Sequence, residues 1–395
     1  MRTAIIGGGA AGFFAAINLK EMVPQMEVTI FERNRHILKK VEISGGGRCN
    51  CTNTFEGVSD LSNVYPRGHR LLKRLFNIFG PSNAFQWFER HGVPLMVQPD
   101  HCVFPTSQDS HSITECLSAT AHRLGVRVET NHRIESITEL DDFDFVVVAS
   151  GGSPQRKGLE WLHGLGHDII DPVPSLFSLS VADDNLRELM GTVCSQSTVL
   201  IEGTKFRSSG SVLITHWGLS GPAILRLSSY GARYLNDKSY NGFLVVNWLG
   251  EKEESIREMI TSTHTLNPRK QVHSTPPEGM PRRLWQHLLC KSIGDKSELR
   301  WQEIGKKDLN RIVSTLSCDR LPISGRAPFH DEYVTCGGVS LTSVDSRTLE
   351  SKVRKGMYFA GEVLDIDGVT GGFNFQAAWT TAYVVSSSIA SCVMS

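Results

Sequence analysis

The first 32 residues decide the fold of this chain. RTAII at residues 2–6 predicts a short buried strand, and GGGAAG at residues 7–12 follows it directly. An apolar helical run comes next, and a second strand at residues 28–31 ends at Glu32. Strand, glycine turn, helix, strand and acid, in this order, are typical of the βαβ unit that binds an adenine dinucleotide.

The glycines, the helix N-terminus and the acid of this unit have separate physical roles. Gly7 permits the tight turn, Gly9 lets a pyrophosphate approach the backbone, and Gly12 lets the helix pack closely on the strand. The helix N-terminus offers N–H groups and partial positive charge to the phosphates. Glu32 is spaced to accept the ribose hydroxyls of adenosine, and its charge opposes a 2′-phosphate there. NADP is therefore the least expected dinucleotide, and this stretch alone leaves FAD and NAD open.

Composition and charge narrow the class of protein. At 395 residues the chain is long enough for two or three domains, and 40% hydrophobic with 21% charged residues is typical of a soluble globular protein. The net charge of zero provides no overall field that attracts nucleic acid or an acidic membrane. No apolar run approaches the length of a membrane span, and cleavage of a signal peptide would destroy the glycine turn. We expect a cytoplasmic protein with no membrane or nucleic-acid partner.

The cysteines form no recognisable metal or disulfide pattern. They are odd in number and scattered, without a C-x-x-C pair or zinc spacing. We interpret them as free thiols and predict no metal site. The nine are Cys49, Cys51, Cys102, Cys116, Cys194, Cys290, Cys318, Cys336 and Cys392.

A second glycine-rich segment, ISGGGRCNCTN, occupies residues 43–53. Three successive glycines flanked by Ser44, Arg48 and Asn50 give a loop of exposed N–H groups with side-chain donors. Such a loop suits a polar planar or anionic ligand. A further apolar strand, DFVVVASGG at residues 144–152, opens into a glycine turn at Ser150, where ligands of parallel sheets lie.

The C-terminal segment decides between the two dinucleotides. KGMYFAGE at residues 355–362 is a strand that ends in a glycine and an acid, and GGFNFQ at residues 371–376 enters a helix. An NAD domain has no need of this second unit, whereas the isoalloxazine half of FAD does. The helix N-terminus, through the N–H groups of Phe373 and Asn374, would stabilise negative charge on the reduced ring. We predict tightly bound, non-covalent FAD. No second G-x-G-x-x-G follows a strand, so a dedicated nicotinamide domain is not visible.

Several motifs together resemble one family. SGGGRCN with the following TN, VFP at 103–105, THWGLSGP at 215–222, VTCGGV at 334–339 and the stretch 356–376 are similar to the BaiN-like (YhiN-type) bacterial NAD(P)/FAD-dependent flavoprotein oxidoreductases. The resemblance covers the whole chain. It implies NAD(P)H as a transient reductant, and reduction of an activated C=C bond as one reaction. Similar flavoproteins usually have Thr where this chain has Ser150, which keeps the hydroxyl. No residue here encodes a steroid-type substrate.

The predicted fold is α/β, a Rossmann-like two-dinucleotide-binding FAD domain with a β-barrel-like insert that itself carries a helical insertion. The FAD domain is predicted at residues 1–172 and 338–395, the β-rich insert at 173–250 and 322–337, and the helical insertion at 251–321. The predicted cofactor-binding residues, with Val128 carried over from similar folds, are Gly7, Gly9, Ala10, Ala11, Gly12, Glu32, Arg33, Lys40, Ser44, Gly45, Gly46, Gly47, Arg48, Cys49, Asn50, Val128, Ala149, Ser150, Gly151, Gly361, Glu362, Asp367, Gly371, Gly372, Phe373 and Asn374.

Candidate catalytic residues are few. Arg48 either binds a substrate or flavin oxygen or anchors its loop, Cys49 is a candidate redox thiol, and His216 is a candidate proton donor. The leading hypothesis is hydride transfer through flavin N5 to or from a small organic substrate. The alternatives are a tRNA-modifying flavoprotein and a non-catalytic FAD-binding redox sensor. We interpret two sets of cations as solvated surface; they are Arg67, Arg70, Lys73 and Arg74, and, in the helical insertion, Arg257, Lys270, Arg282, Arg283, Lys306 and Lys307.

Overall fold

The computed structural model describes residues 1–153, 155–327 and 334–394. The chain forms two compact units, unit 1 from residues 1–173 with residues 334 onward, and unit 2 from residues 174–333. The strands are β1 Arg2–Ile6, β2 Glu27–Phe31, β3 Thr52–Asn53, β4 Leu95–Val97, β5 Cys102–Pro105, β6 Arg127–Glu129, β7 Phe145–Val148, β8 Ile169–Ser175, β9 Leu179–Val181, β10 Val193–Ile201, β11 Arg207–Thr215, β12 Gly218–Ser220, β13 Asn241–Asn247, β14 Asp319–Arg326, β15 Val334–Val339 and β16 Met357–Phe359. The α-helices are α1 Ala10–Met22, α2 Lys39–Gly47, α3 His69–Leu75, α4 Pro81–Arg90, α5 His111–Arg123, α6 Glu160–Gly164, α7 Asp184–Arg187, α8 Pro222–Tyr230, α9 Ala232–Asp237, α10 Glu253–Leu266, α11 Arg282–Ile293, α12 Lys306–Ser317 and α13 Phe373–Met394.

Unit 1 is built on a five-stranded parallel sheet in the order β16-β7-β1-β2-β6. Its central strands are apolar on both faces, and Ile5, Val147 and Ile30 are buried. Such strands require cover on each side, which is why they read as continuous apolar runs. The first and the last parts of the chain both contribute strands, so the predicted Rossmann-like sheet, completed from both ends of the sequence, is confirmed. A small antiparallel sheet, β3-β5-β4, lies in the same unit.

Two apolar helices cover the sheet of unit 1. Helix α1 packs against α13, and both are buried along most of their length. Helix α13 is long and apolar enough to cross a membrane by length and composition, so the prediction that no apolar run approaches that length is wrong here. However, 61% of its most apolar stretch is buried inside the unit. Packing in the core therefore accounts for its apolar character, since a core helix has no polar face to present.

Unit 2 contains a closed six-stranded barrel in the order β10-β11-β12-β9-β14-β13. The predicted β-barrel-like insert is confirmed. Side chains that alternate along these strands, such as Val199, Leu244 and Leu321, are buried in a core shared with the helices α10 to α12. These helices occupy residues 253–317, and β14 begins directly afterwards at Asp319. Of the segment predicted as β-rich, residues 328–333 lie outside the described part of the chain.

Candidate flavin-binding site

The glycine turn after β1 has the geometry that each glycine position requires. Gly7 has φ +116°, and a Cβ there would lie 2.3 Å from the carbonyl oxygen of Ala149. A Cβ on Gly12 would lie 2.0 Å from the carbonyl oxygen of Gly7, so α1 meets the turn at backbone distance. Gly9 differs from both, because no atom lies within 4 Å of its Cβ position. The open space is at the N-terminus of α1, where a pyrophosphate fits.

Glu32 is held at the end of β2 beside this turn. It is 9% exposed, and its Oε2 accepts a hydrogen bond from the backbone N–H of Gly8 at 2.8 Å. Its Oε1 accepts from the backbone and side-chain nitrogens of Asn34, each at 2.8 Å. A carboxylate oxygen has two lone pairs, so Oε2 retains one that a ribose hydroxyl can use. The residue after it, Arg33, is exposed.

The C-terminal acid comes to the same edge of the sheet. A Cβ on Gly361 would lie 2.8 Å from the Cβ of Ala11, which places the turn after β16 against the first turn of α1. Glu362 Oε2 forms an ion pair with Lys40 Nζ at 2.8 Å, and its Oε1 accepts from the N–H of Thr335 at 2.8 Å. A Cβ on Gly152 would lie 2.6 Å from Glu362 Oε1, so the turn after β7 adjoins this carboxylate.

The SGGGR segment has a non-helical backbone at Ser44, Gly45 and Gly46, in line with the loop that the sequence predicts. Helix α2 runs to Gly47, but the backbone leaves helical geometry at Ser44, Gly45 and Gly46. The three glycines have φ of +57°, +69° and +83°, which residues with a side chain rarely adopt. Gly46 and Gly47 have no atom within 4 Å of their Cβ positions. Like Gly9, they border open space that a ligand can enter.

Arg48 has contacts that anchor it to its own surroundings. Its Nε donates to the carbonyl of Gly45 at 3.2 Å, and its Nη1 donates to Gln108 Oε1 at 3.3 Å. The guanidinium lies over the Phe104 ring, 4.5 Å from the centroid. Of the two roles left open by the sequence, these contacts support anchoring the loop. The exposed guanidinium keeps further N–H groups for a ligand.

The N-terminus of α13 is fixed by a set of short contacts. Asn374 Oδ1 accepts from the N–H of Gly368 at 2.8 Å, and its Nδ2 donates to the carbonyl of Gly368 at 2.9 Å. The hydroxyl of the buried Tyr65 donates to the carbonyl of Phe373 at 2.7 Å. A Cβ on Gly372 would lie 2.2 Å from the carbonyl oxygen of Thr52. The first-turn N–H groups of a helix lack acceptors within it, so this fixed end can bind the polar edge of a flavin.

Asp367, predicted to touch the cofactor, is fully buried and forms an ion pair with Arg67. Gly68 is also in close contact with this segment, since its Cβ position lies 2.6 Å from Ile366 Cγ1. The ion pair therefore attaches the segment before α13 to the start of α3. This contact supports a positioning role for Asp367.

Cys49 and Cys51 are completely buried and are not in a disulfide. Burial raises the pKa of the Cys49 thiol to about 12. Burial and the neighbouring Cys49 raise the pKa of Cys51 well above its usual range. Since the thiolate is the reactive form, this environment does not favour redox chemistry at Cys49 near neutral pH.

The remaining predicted residues lie apart from these contacts. Val128 is on β6 and pairs with Ile30 of β2. His216 belongs to unit 2, where it is exposed between β11 and β12 with its ring 4.1 Å from that of Trp217. Within the described ranges no group of three or more His, Cys, Asp or Glu side chains is arranged to hold a metal ion. Sequence reasoning missed Tyr65 and Thr335 as supports of the site, since single contacts between distant segments leave no local pattern.

The turns after β1, β7 and β16, the glycines of α2 and the N-terminus of α13 all belong to unit 1. Close contacts join the three turns, and the Lys40–Glu362 ion pair joins α2 to them. Open space beside Gly9, Gly46 and Gly47 and a fixed helix N-terminus fit an extended dinucleotide such as FAD. The fold and these groups define a flavin-dependent oxidoreductase with a Rossmann-like FAD domain.

Residues 1–388 match the sequence model described as HI0933-like protein Rossmann domain, and the chain belongs to that family. It is 27% identical over 417 residues to a 3-dehydro-bile acid delta(4,6)-reductase of Clostridium scindens, covering 97% of each chain. It is 25% identical over 401 residues to a ribosomal RNA dihydrouridine synthase of Escherichia coli, covering 96% of this chain and 95% of the relative. The resemblance to BaiN-like flavoproteins is confirmed.

Among solved structures, 3-ketosteroid delta1-dehydrogenase from Sterolibacterium denitrificans aligns with a TM-score of 0.51 at 10% identity, covering 99% of each chain. At this identity the likeness concerns the fold alone. It agrees with the parallel sheet and inserted barrel described above.

Proposed function

We propose that this flavoprotein reduces a carbon–carbon double bond conjugated to a carbonyl group, with NAD(P)H as a transient reductant. The observation that carries the proposal is the α13 N-terminus, fixed by Tyr65 and Asn374 at the predicted pyrimidine edge of the flavin. Bound there, FAD supplies hydride transfer through its N5 atom.

The residues of the chain position the cofactor and stabilise its charge. Glu32 and the first turn of α1 would hold the adenosine and the pyrophosphate. Glu362, tied to Lys40 and Thr335, would hold the ribityl chain. The N–H groups at Phe373 and Asn374 would favour the negatively charged form of the ring, which makes them part of the driving force for its reduction.

The choice of a conjugated double bond is supported by what two full-length relatives have in common. One is described as a bile-acid delta(4,6)-reductase and the other as a dihydrouridine synthase. Both names denote saturation of a carbon–carbon double bond, and in both substrates that bond is conjugated to a carbonyl. A common reaction on dissimilar substrates is what a shared flavin site and divergent substrate contacts would produce.

Two classes of substrate follow from this reaction. The first is a small enone, which belongs to the small organic substrates that the sequence predicts. The second is the uracil ring of an RNA nucleotide, which is supported by the relatives described as ribosomal RNA dihydrouridine synthases. The expectation of no nucleic-acid partner rests on a net charge of zero and on the interpretation of the two cation sets as solvated surface. A net charge of zero does not exclude binding through a local cluster. His216 remains a proposed proton donor.

Anaerobic mixing tests the proposal. The purified protein should be yellow and should release FAD on extraction, and NADH or NADPH should bleach it. Addition of a cyclic enone or a uridine-containing RNA should then restore the absorbance of the oxidised flavin, while the matched saturated ketone should not. A flavin that neither nicotinamide bleaches would favour a redox sensor over a reductase. Reoxidation at equal rates by the enone and the saturated ketone would contradict double-bond reduction.

A further inference from the structure

Helix α3 carries an unusual concentration of positive charge. Between Asp60 and Glu89 the chain has no acidic residue but contains Arg67, Arg70, Lys73 and Arg74. Arg67 is largely buried and is neutralised by Asp367. Arg70, Lys73 and Arg74 are exposed, and we call these three side chains the α3 basic face.

The α3 basic face is one surface of the helix. Its residues are spaced i, i+3 and i+4, which brings them together on one side, while Leu71, Leu72 and Leu75 are buried on the other. Like charges at these spacings repel one another and weaken a helix. Nearby groups relieve this repulsion only in part. Arg74 donates a hydrogen bond to the hydroxyl of Ser346. Hydrogen bonds with Ser62 are the main cause of the lowered pKa of Asp60, and the charges of His69 and Lys73 contribute less to it. Helix stability therefore does not explain three exposed cations here.

The position of α3 connects this face to the candidate flavin site. The chain entering α3 holds the segment that precedes α13, through the Arg67–Asp367 ion pair and the contact of Gly68 with Ile366. Tyr65, just before it, hydrogen-bonds to Phe373 at the first residue of α13. From Arg70 to Arg74 the helix rises about 6 Å. Along the chain, the three cations therefore directly follow Tyr65, Arg67 and Gly68, which contact the segment leading into α13.

We propose that the α3 basic face binds the phosphate backbone of an RNA substrate, so that a nucleobase next to the bound phosphates reaches the candidate flavin site. The inference rests on the proposed function, because it chooses the uracil ring of RNA as the source of the conjugated double bond. Arg and Lys side chains on one helical face neutralise successive phosphates without reading the sequence. An anionic membrane is the weaker partner for this face, since the leucines of α3 are buried in the unit and cannot insert.

RNA binding by the full-length holoprotein tests the inference. The probe is a fluorescein-labelled, uridine-rich RNA 12-mer, and anisotropy is measured between 50 and 200 mM KCl. The test variant is Arg70→Glu/Lys73→Glu/Arg74→Glu. The matched control, Arg282→Glu/Lys306→Glu/Lys307→Glu, makes the same three charge reversals at exposed positions of α11 and α12. A neutral variant, Arg70→Gln/Lys73→Gln/Arg74→Gln, guards against a folding defect, and flavin absorbance and Tm are measured for each protein.

We expect the α3 variants to bind the RNA at least about tenfold more weakly and the control within about twofold of the wild type. The slope of log affinity against log salt should fall by about two for the neutral variant, which loses three phosphate contacts. Equal affinity of wild type and α3 variants, or equal loss in the control, would overturn the inference. Binding to phosphatidylglycerol vesicles but not to RNA would do the same.

The two proposals fail in distinguishable ways. If the wild type reduces a small enone but does not bind the RNA, the α3 assignment is wrong and the reductase proposal stands. If the RNA binds through α3 but no conjugated double bond reoxidises the flavin, the reductase proposal is wrong and the binding surface stands.

Discussion

The substitution Gly9→Val separates the role of this glycine in binding from any role in folding. Gly9 has φ −96° and ψ −167°, which residues with a side chain adopt readily. Its Cβ position has no neighbour within 4 Å, so the Cβ of a valine there would contact no protein atom. The added carbons would instead occupy the space where the pyrophosphate approaches the N-terminus of α1.

The magnitude follows from these contacts. As an N-cap, Val is poorer than Gly, and the unfolding free energy of the apoprotein should fall by about 1 kcal/mol. Loss of the helix-terminus interaction costs the cofactor up to about 2 kcal/mol, and each lost charge-assisted hydrogen bond costs about 1.5–3 kcal/mol. FAD affinity should therefore fall by at least about 2.7 kcal/mol, which is about a hundredfold in Kd.

Apoprotein unfolding in urea and FAD titration by fluorescence quenching measure the two effects separately. Gly12→Val is the matched control, because a Cβ there would lie 2.0 Å from the Gly7 carbonyl oxygen and must disturb the fold itself. The control should lose both stability and FAD. Full FAD occupancy in Gly9→Val would refute the placement of the pyrophosphate.

Three further predictions concern buried groups of unit 1. Burial lowers the pKa of His167. The Ser351 hydroxyl accepts from two backbone N–H groups, so its own hydrogen must be donated to Nε2 of His167. Since Nε2 then accepts a hydrogen bond, the imidazole ring must be neutral in the folded protein. Since the unfolded chain then binds a proton that the folded one does not, the contribution of His167 to stability should be complete above about pH 7. It should fall by up to about 1.4 kcal/mol per pH unit below about pH 6.5, and a His167→Gln variant with the same pH slope in urea unfolding would contradict this. Cys49→Ala should keep its FAD and reduce its substrate within about threefold of the wild type in steady-state assays, because a thiol with a pKa of about 12 is not a nucleophile at neutral pH; a loss above a hundredfold would restore the catalytic thiol. Tyr65→Phe removes the hydrogen bond to Phe373 and should cost about 1 kcal/mol in unfolding free energy, and an unchanged Tm would show that the bond does not stabilise the α13 terminus.

The cofactor was predicted mainly from local sequence patterns. The alternation of apolar strand, glycine turn and helix at residues 2–19 is fixed by neighbours in sequence, so β1 and α1 were predictable. The loop at Ser44 was predictable for the same reason, because its three glycines adopt positive φ angles that interrupt the helical geometry of α2. The full length of α13 was not predictable from its apolar residues, because Ser and Thr interrupt them in the sequence. In the structure the hydroxyls of Thr381 and Ser386 donate to carbonyls of the same helix, which lets these residues be buried.

The sequence by itself determined the class of this protein, through the two strand–glycine–acid units at Glu32 and Glu362 that a dinucleotide with a flavin requires. Only the tertiary structure decided how each acid is used. Glu362 pairs with Lys40 and accepts a hydrogen bond from Thr335, and Asp367 forms an ion pair with Arg67. The tertiary structure also buries Cys49 completely. The physical reason is that a carboxylate or thiol takes its charge and role from neighbours hundreds of residues away, whereas a glycine turn takes its shape from its own backbone.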